Sequence, residues 1–254
     1  MPLGGWWAAR RALAGRVSVA GSTFAAMSAT DAPPNPWFSW DYVTRNADDI
    51  QRALGQHVSL TVQAVVLALL VALPLAAVAH LRPRLAGPVV GTAGVLYTIP
   101  SLALFALLAP YTGIGRTTVL IGLVLYALLV LVRNVLVGLA GVDPAVTDAA
   151  RGMGYGRVRM LLQVELPQAL PSIVAGVRVA TVTTVALVTV GVVVGYGGLG
   201  QLMFRGFRSD YHAEIMTATV LCVLLALVAD LLVVLAGRLL TPWRSARDTR
   251  EAAA

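Results

Sequence analysis

Charged residues fall unevenly along the chain. Positions free of Asp, Glu and Arg form long runs at 53–81, 85–115, 117–132, 179–204 and 215–229, and a further run, 231–237, follows Asp230. A helix needs about 20 apolar residues to cross a bilayer, so this pattern predicts five spans near 58–80, 87–109, 117–133, 173–195 and 214–237. Between the third and fourth spans, 134–171 reads as one long polar loop. If that loop is inside, arginines 82, 84, 133, 151, 157, 159, 178, 238, 244, 247 and 250 lie on the inner side, against 116, 205 and 208 on the outer side. The asymmetry makes the loop cytoplasmic.

Five spans with a cytoplasmic C-terminus place the segment before the first span outside. There 41–56 reads as a short amphipathic surface helix, preceded by a proline-rich linker at 32–36. Residues 1–40 read as an N-terminal extension and linker. Within them a 14-residue uncharged run at 17–30 leaves three readings open: a signal-like segment, a weak sixth span, or an upstream extension or disordered tail, since Met27 is itself a possible start. The membrane domain is 57–240, and 241–254 is a cytoplasmic tail.

Composition narrows the function. Of 254 residues, 58% are hydrophobic and 12% charged, against roughly 25% charged in a soluble domain, which excludes a soluble globular protein. All 19 basic residues are arginine. Without lysine the chain lacks the residue that a P-loop places on the nucleotide phosphates and the amine of Schiff-base chemistry. Any ATP used is therefore hydrolysed by a partner, and the chain itself binds no cofactor. The net charge of +7 is accounted for by cytoplasmic loops rather than by nucleic acid. Cys222 stands alone and forms no internal disulfide. His57, His80 and His212 fall at span boundaries without metal-ligand spacing, so no metal site is expected. No Ser/His arrangement marks a nucleophile, no catalytic residue is assigned, and the chain is not read as an enzyme.

The polar loop carries the chemistry. Asp143 is a good N-cap, Pro144 suits the first helical position, and Gly152 or Gly154 can take the left-handed turn that ends a helix. A second short helix is expected from Arg157 to Glu165, ending before Pro167. Two short helices joined at a glycine make an angled hairpin that exposes Arg151, Met153, Tyr155, Arg157 and Arg159.

The spacing Asp148-Ala149-Ala150, three residues, Gly154, nine residues, then Val164-x-Leu166-Pro167 resembles the EAA loop of permease subunits of type I ABC importers. Asp148 stands where that pattern has Glu and Val164 where it has Ile. The resemblance covers most of 57–240 and narrows to the quaternary-amine, or osmoprotectant, branch through Thr98–Phe105, Arg133-Asn134 with Gly138-Leu139 and Val142–Ala145, and Gly195–Gly200 leading into Phe204-Arg205-Gly206. It implies an all-α polytopic membrane protein of about five helices with a cytoplasmic coupling-helix hairpin. The implied coupling residues are Asp143, Asp148, Ala149, Ala150, Gly154, Val164, Leu166 and Pro167. The implied partners are cytoplasmic ABC ATPase subunits holding ATP-Mg, a second permease subunit and an extracytoplasmic substrate-binding protein, assembled in the lipid bilayer of a bacterial cytoplasmic membrane. The implied cargo is glycine betaine, carnitine or choline; methionine or a phosphonate is the alternative for the same fold. Tyr97 and Tyr196 depart from the smaller or amide side chains associated with the branch.

Three features within the spans have two readings each. Pro100 either kinks its helix without further consequence or breaks it, as transporters do at binding or gating sites; Tyr97, Pro100, Ser101 and Tyr126 are the candidate translocation path. The Gly195–Gly200 cluster fits a turn or close helix approach better than a phosphate loop, lacking both lysine and flanking strand. Arg178 and Asp230 are expected at similar depth, roughly 9 to 12 Å from the inner end at about 1.5 Å per residue. They either pair or snorkel separately to the interface.

Overall fold

Helical periodicity survives into three dimensions with different boundaries. The computed structural model describes residues 35–241, so the readings of 1–34 and of the tail from 242 lie outside the described residues. The elements are α1 (Trp40–Arg45), α2 (Ala47–Leu81), α3 (Pro83–Thr98), α4 (Ser101–Thr112), α5 (Arg116–Ala140), α6 (Pro144–Gly152), α7 (Arg157–Met160), a π turn (Leu161–Glu165), α8 (Leu166–Val190), a 3-10 turn (Gly191–Val194), α9 (Leu199–Arg208) and α10 (His212–Leu240). Helices long and apolar enough to span a bilayer are α2, α5, the continuous helix Arg157–Val194 and α10, with α3 and α4 forming a bent fifth.

Small side chains set the core. Leu60, Ala64, Ala68, Ala72 and Ala76 recur every fourth residue on α2 and are fully buried. Residues four apart share one helix face, so this ridge of mostly alanine lets α5 and α8 approach closely. Phe105, Val119, Leu123 and Val188 pack against its outer part, and Val135, Leu139, Ala169 and Ile173 against its inner part. α5 lies at the centre, with half of its apolar window buried inside the chain, whereas α10 buries 6% of its own. α10 thus presents nearly all its apolar surface outward.

Four boundaries differ from the sequence reading. Region 41–56 is divided at Asn46, because Ser39 caps α1 and Asn46 closes it, and 47–56 forms the first turns of the long helix α2. The expected span 87–109 is bent by 97° at Ile99-Pro100, where proline forces Ile99 into an extended conformation. Much of 134–171 is helical: α5 runs to Ala140, and α8 starts at Leu166. The helix from Arg157 also does not stop at Glu165. It widens into the π turn, where Leu166 N–H donates to the Leu161 carbonyl, and this places the ring of Pro167 in the first turn of α8, where a missing N–H is tolerated.

Candidate functional site

The hairpin is built by its caps. Asp143 Oδ1 accepts from Ala145 N–H at 2.8 Å and starts α6. At the other end Gly154 N–H donates to Arg151 O at 2.9 Å and Tyr155 N–H to Ala150 O at 3.1 Å. With Gly154 at φ +83°, this is the paired-bond termination that satisfies the last carbonyls of a helix. The glycine is required by conformation alone, since a Cβ there would meet nothing within 4 Å. After the turn the Arg159 guanidinium lies over the Tyr155 ring, 4.3 Å from its centroid, and its Nε donates to Gln163 at 2.9 Å. The first contact holds the second arm against the turn, and the second fixes the Arg159 side chain along that arm.

The two arms share one buried side and one exposed side. Ala150, Met160 and Leu161 are buried. Val146 on α6 and Met153 at its C-cap are exposed apolar side chains, and exposed Ala149 lies between them; positions 146, 149 and 153 share a helix face. Val158 and Leu162 extend the exposed apolar surface on the second arm. Of this surface the sequence reading named Ala149 and Met153, but not Val146, Val158 or Leu162. Asp148, exposed, pairs with Arg151 at 2.8 Å within α6. Beyond the turn, Val164 lies in the π turn, and Leu166 and Pro167 are the first residues of α8. The hairpin and α8 are thus one mechanical piece.

His80 ties that piece to the first span. Its Nε2 lies 3.0 Å from Glu165 Oε2, and Glu165 is buried in the π turn. The sequence reading left His80 as a boundary residue and missed this partner, 85 positions away.

At the membrane break, the candidate path residues separate into two groups. Tyr97 and Tyr126 meet edge to face, centroids 5.7 Å apart, and the Tyr126 hydroxyl donates to the Ile99 carbonyl. That bond satisfies a carbonyl left outside the helix by the break. Pro100 is exposed, and Ser101 starts α4 beside it. Arg178 and Asp230 meet as a two-pronged pair between α8 and α10, with Nη2 to Oδ2 at 2.7 Å.

At the outer end, His57 is fully buried. Leu199 N–H donates to its Nδ1 at 3.3 Å. Nε2 therefore carries the ring proton and donates to the Val185 carbonyl at 3.0 Å. One neutral imidazole joins α2, α8 and α9. Gly198, at φ +54°, packs so closely that a Cβ would sit 2.8 Å from His57 Cβ. Among the described residues no group of His, Cys, Asp and Glu is placed to hold a metal ion.

Residues 64–245 match the family described as binding-protein-dependent transport system inner membrane component. The carnitine transport permease protein OpuCB of Listeria monocytogenes is 34% identical over 83% of this chain and 96% of its own length. The osmoprotectant import permease protein OsmW of Salmonella typhimurium is 38% identical over 79% and 96%. The choline transport system permease protein OpuBB of Bacillus subtilis is 31% identical over 79% and 93%. Among solved structures, a chain of the methionine ABC transporter MetNI, in an inward-facing conformation, superposes with a TM-score of 0.72 at 24% identity, covering 78% of this chain and 98% of that one. That likeness establishes the fold.

Proposed function

As the chain belongs to the family of binding-protein-dependent transport system inner membrane components, we propose that it is the permease subunit of an ABC importer that carries a quaternary amine such as glycine betaine, carnitine or choline into the cytoplasm. It works as one of two permease subunits above two ATPase subunits, and receives solute from an extracytoplasmic binding protein. The observation that carries the mechanism is the hairpin Asp143–Pro167, which offers an exposed apolar face and runs without interruption into α8. Seated on an ATPase subunit, it converts closure of the nucleotide-bound ATPase pair into a tilt of α8. A bound partner shifts the permease between states only through its different affinity for each.

The cargo assignment is supported by the relatives, which are named for carnitine, choline and osmoprotectants. The Tyr97–Tyr126 pair at the membrane break supplies aromatic rings of the kind that attract a quaternary ammonium, and we place the translocation path there, with Pro100 and Ser101. The Arg178–Asp230 pair keeps its two charges neutralised between α8 and α10 while both helices tilt.

The test is uptake of labelled glycine betaine at high osmolarity, in a host lacking its own systems and expressing this chain with its ATPase and binding protein. Carnitine, choline and methionine serve as unlabelled competitors. Uptake suppressed by the quaternary amines and not by methionine supports the reading. A complex that hydrolyses ATP and moves methionine instead discards the quaternary-amine assignment.

A further inference from the structure

The coupling hairpin keeps most of its polar contacts to itself. Among the described residues, the hydrogen bonds made by side chains from Asp143 to Gln163 all close within the hairpin. Glu165 reaches out of it, to His80 in the last turn of α2, with Nε2 and Oε2 3.0 Å apart. A carboxylate only accepts, so His80 Nε2 carries a proton and donates whether the ring is neutral or charged.

The helix that leads from the hairpin into the membrane has one irregular turn, and Glu165 belongs to it. There Leu166 N–H donates to the Leu161 carbonyl, one residue further back than in an α-helix. Successive α-helical residues turn by about 100°, so closing this turn to the α pattern would rotate the hairpin by about that much around α8. A lever that can change its pitch at one turn loses motion there unless that turn is braced. His80 braces it from a different span.

Packing alone does not call for this pair. The Glu165 side chain is 12% exposed and that of His80 26%. One turn back on the two elements, Ala76 and Leu161 pack in the same apolar cluster, and apolar residues in place of a buried polar pair serve stability as well or better. What the pair adds is direction, since a hydrogen bond fixes which face of the π turn meets α2.

We propose that His80 and Glu165 are a positioning pair for coupling: their contact holds the π turn in register, so that motion of the hairpin reaches α8 undiminished and carries α2 with it. The inference rests on the importer reading. Since α2 and α8 both pack on α5 and on each other, the two spans then tilt as one body.

The experiment places the whole permease–ATPase complex in proteoliposomes with the purified binding protein, and measures labelled glycine betaine taken up per ATP hydrolysed. ATP-driven uptake by the wild type tests the importer reading, and the variants test the pair. His80→Leu and Glu165→Leu are each expected to lower uptake per ATP at least threefold. His80→Gln keeps a donor near Nε2 and Glu165→Gln keeps an acceptor, so each is expected to stay within twofold of the wild type. The double variant His80→Leu/Glu165→Leu separates positioning from stability. With no buried polar group left unpaired it should regain the thermal midpoint of the complex, yet remain as poorly coupled as either single variant. Wild-type uptake per ATP in the double variant overturns the proposal, because it leaves the pair a purely structural role. Gln variants that lose as much coupling as the Leu variants overturn it too.

Discussion

Replacing His57 by Leu removes a side chain that joins three helices at the outer end. Two bonds are lost, and they are unequal. The Val185 carbonyl lies inside α8 and keeps its helical partner, so losing the imidazole costs about 0.5–1 kcal/mol there. Leu199 N–H is the first amide of α9, where no helical acceptor exists, and leaving it buried and unmet costs about 1–3 kcal/mol. The sum is roughly 1.5–4 kcal/mol, concentrated on α9 and the turn before it. Hydrogen exchange in the assembled complex reads this directly: protection of the Leu199 amide should fall by about tenfold or more, at tenfold per 1.4 kcal/mol, while amides in the middle of α5 are unaffected. His57→Asn places an acceptor near the position of Nδ1 and should restore much of the protection; His57→Gln, whose amide reaches toward Val185 instead, should not. Equal exchange at Leu199 in the wild type and His57→Leu would refute the assignment.

Other outcomes follow from the packing and charges. Ala72→Leu puts three extra carbons into the closely packed alanine ridge and should destabilise the chain by about 1–3 kcal/mol, seen as a lower thermal midpoint, while Leu at neighbouring exposed Val71 should be neutral. Arg178→Gln or Asp230→Asn alone leaves one charge without its partner among apolar residues and should lower the yield of assembled complex, whereas the double variant should recover it; double loss no better than single loss would mean that the pair is not coupled. Gly154→Ala forces a side chain into the left-handed region at a cost of about 1–2 kcal/mol. With open space around it, the hairpin should distort rather than the fold collapse, lowering transport per ATP hydrolysed.

How much of this was legible depended on whether the signal was local. Apolar runs gave the spans, because these are written in consecutive residues. The hairpin's caps were readable at Asp143, Pro144 and Gly154 for the same reason. Pro167 misled as a stop signal, since a π turn just before a proline moves its missing N–H to the start of the next helix, and periodicity at 3.6 does not encode that widening. His57, His80 and Glu165 were missed as partners because their bonds join positions 85 to 142 residues apart. Arg178 and Asp230, though 52 apart, were accessible by counting helical rise from the same membrane surface.

The central claim is that the exposed face of the hairpin is where an ATPase subunit seats. Site-directed crosslinking tests it most directly, with Cys222 replaced by Ala, single cysteines introduced at Ala149 or Met153, and a control cysteine at Val137, an exposed position on α5. The account predicts crosslinks to the ATPase subunit from 149 and 153 that change with nucleotide, and none from 137. An assembled, ATP-hydrolysing complex that gives no crosslink from either hairpin position would contradict it.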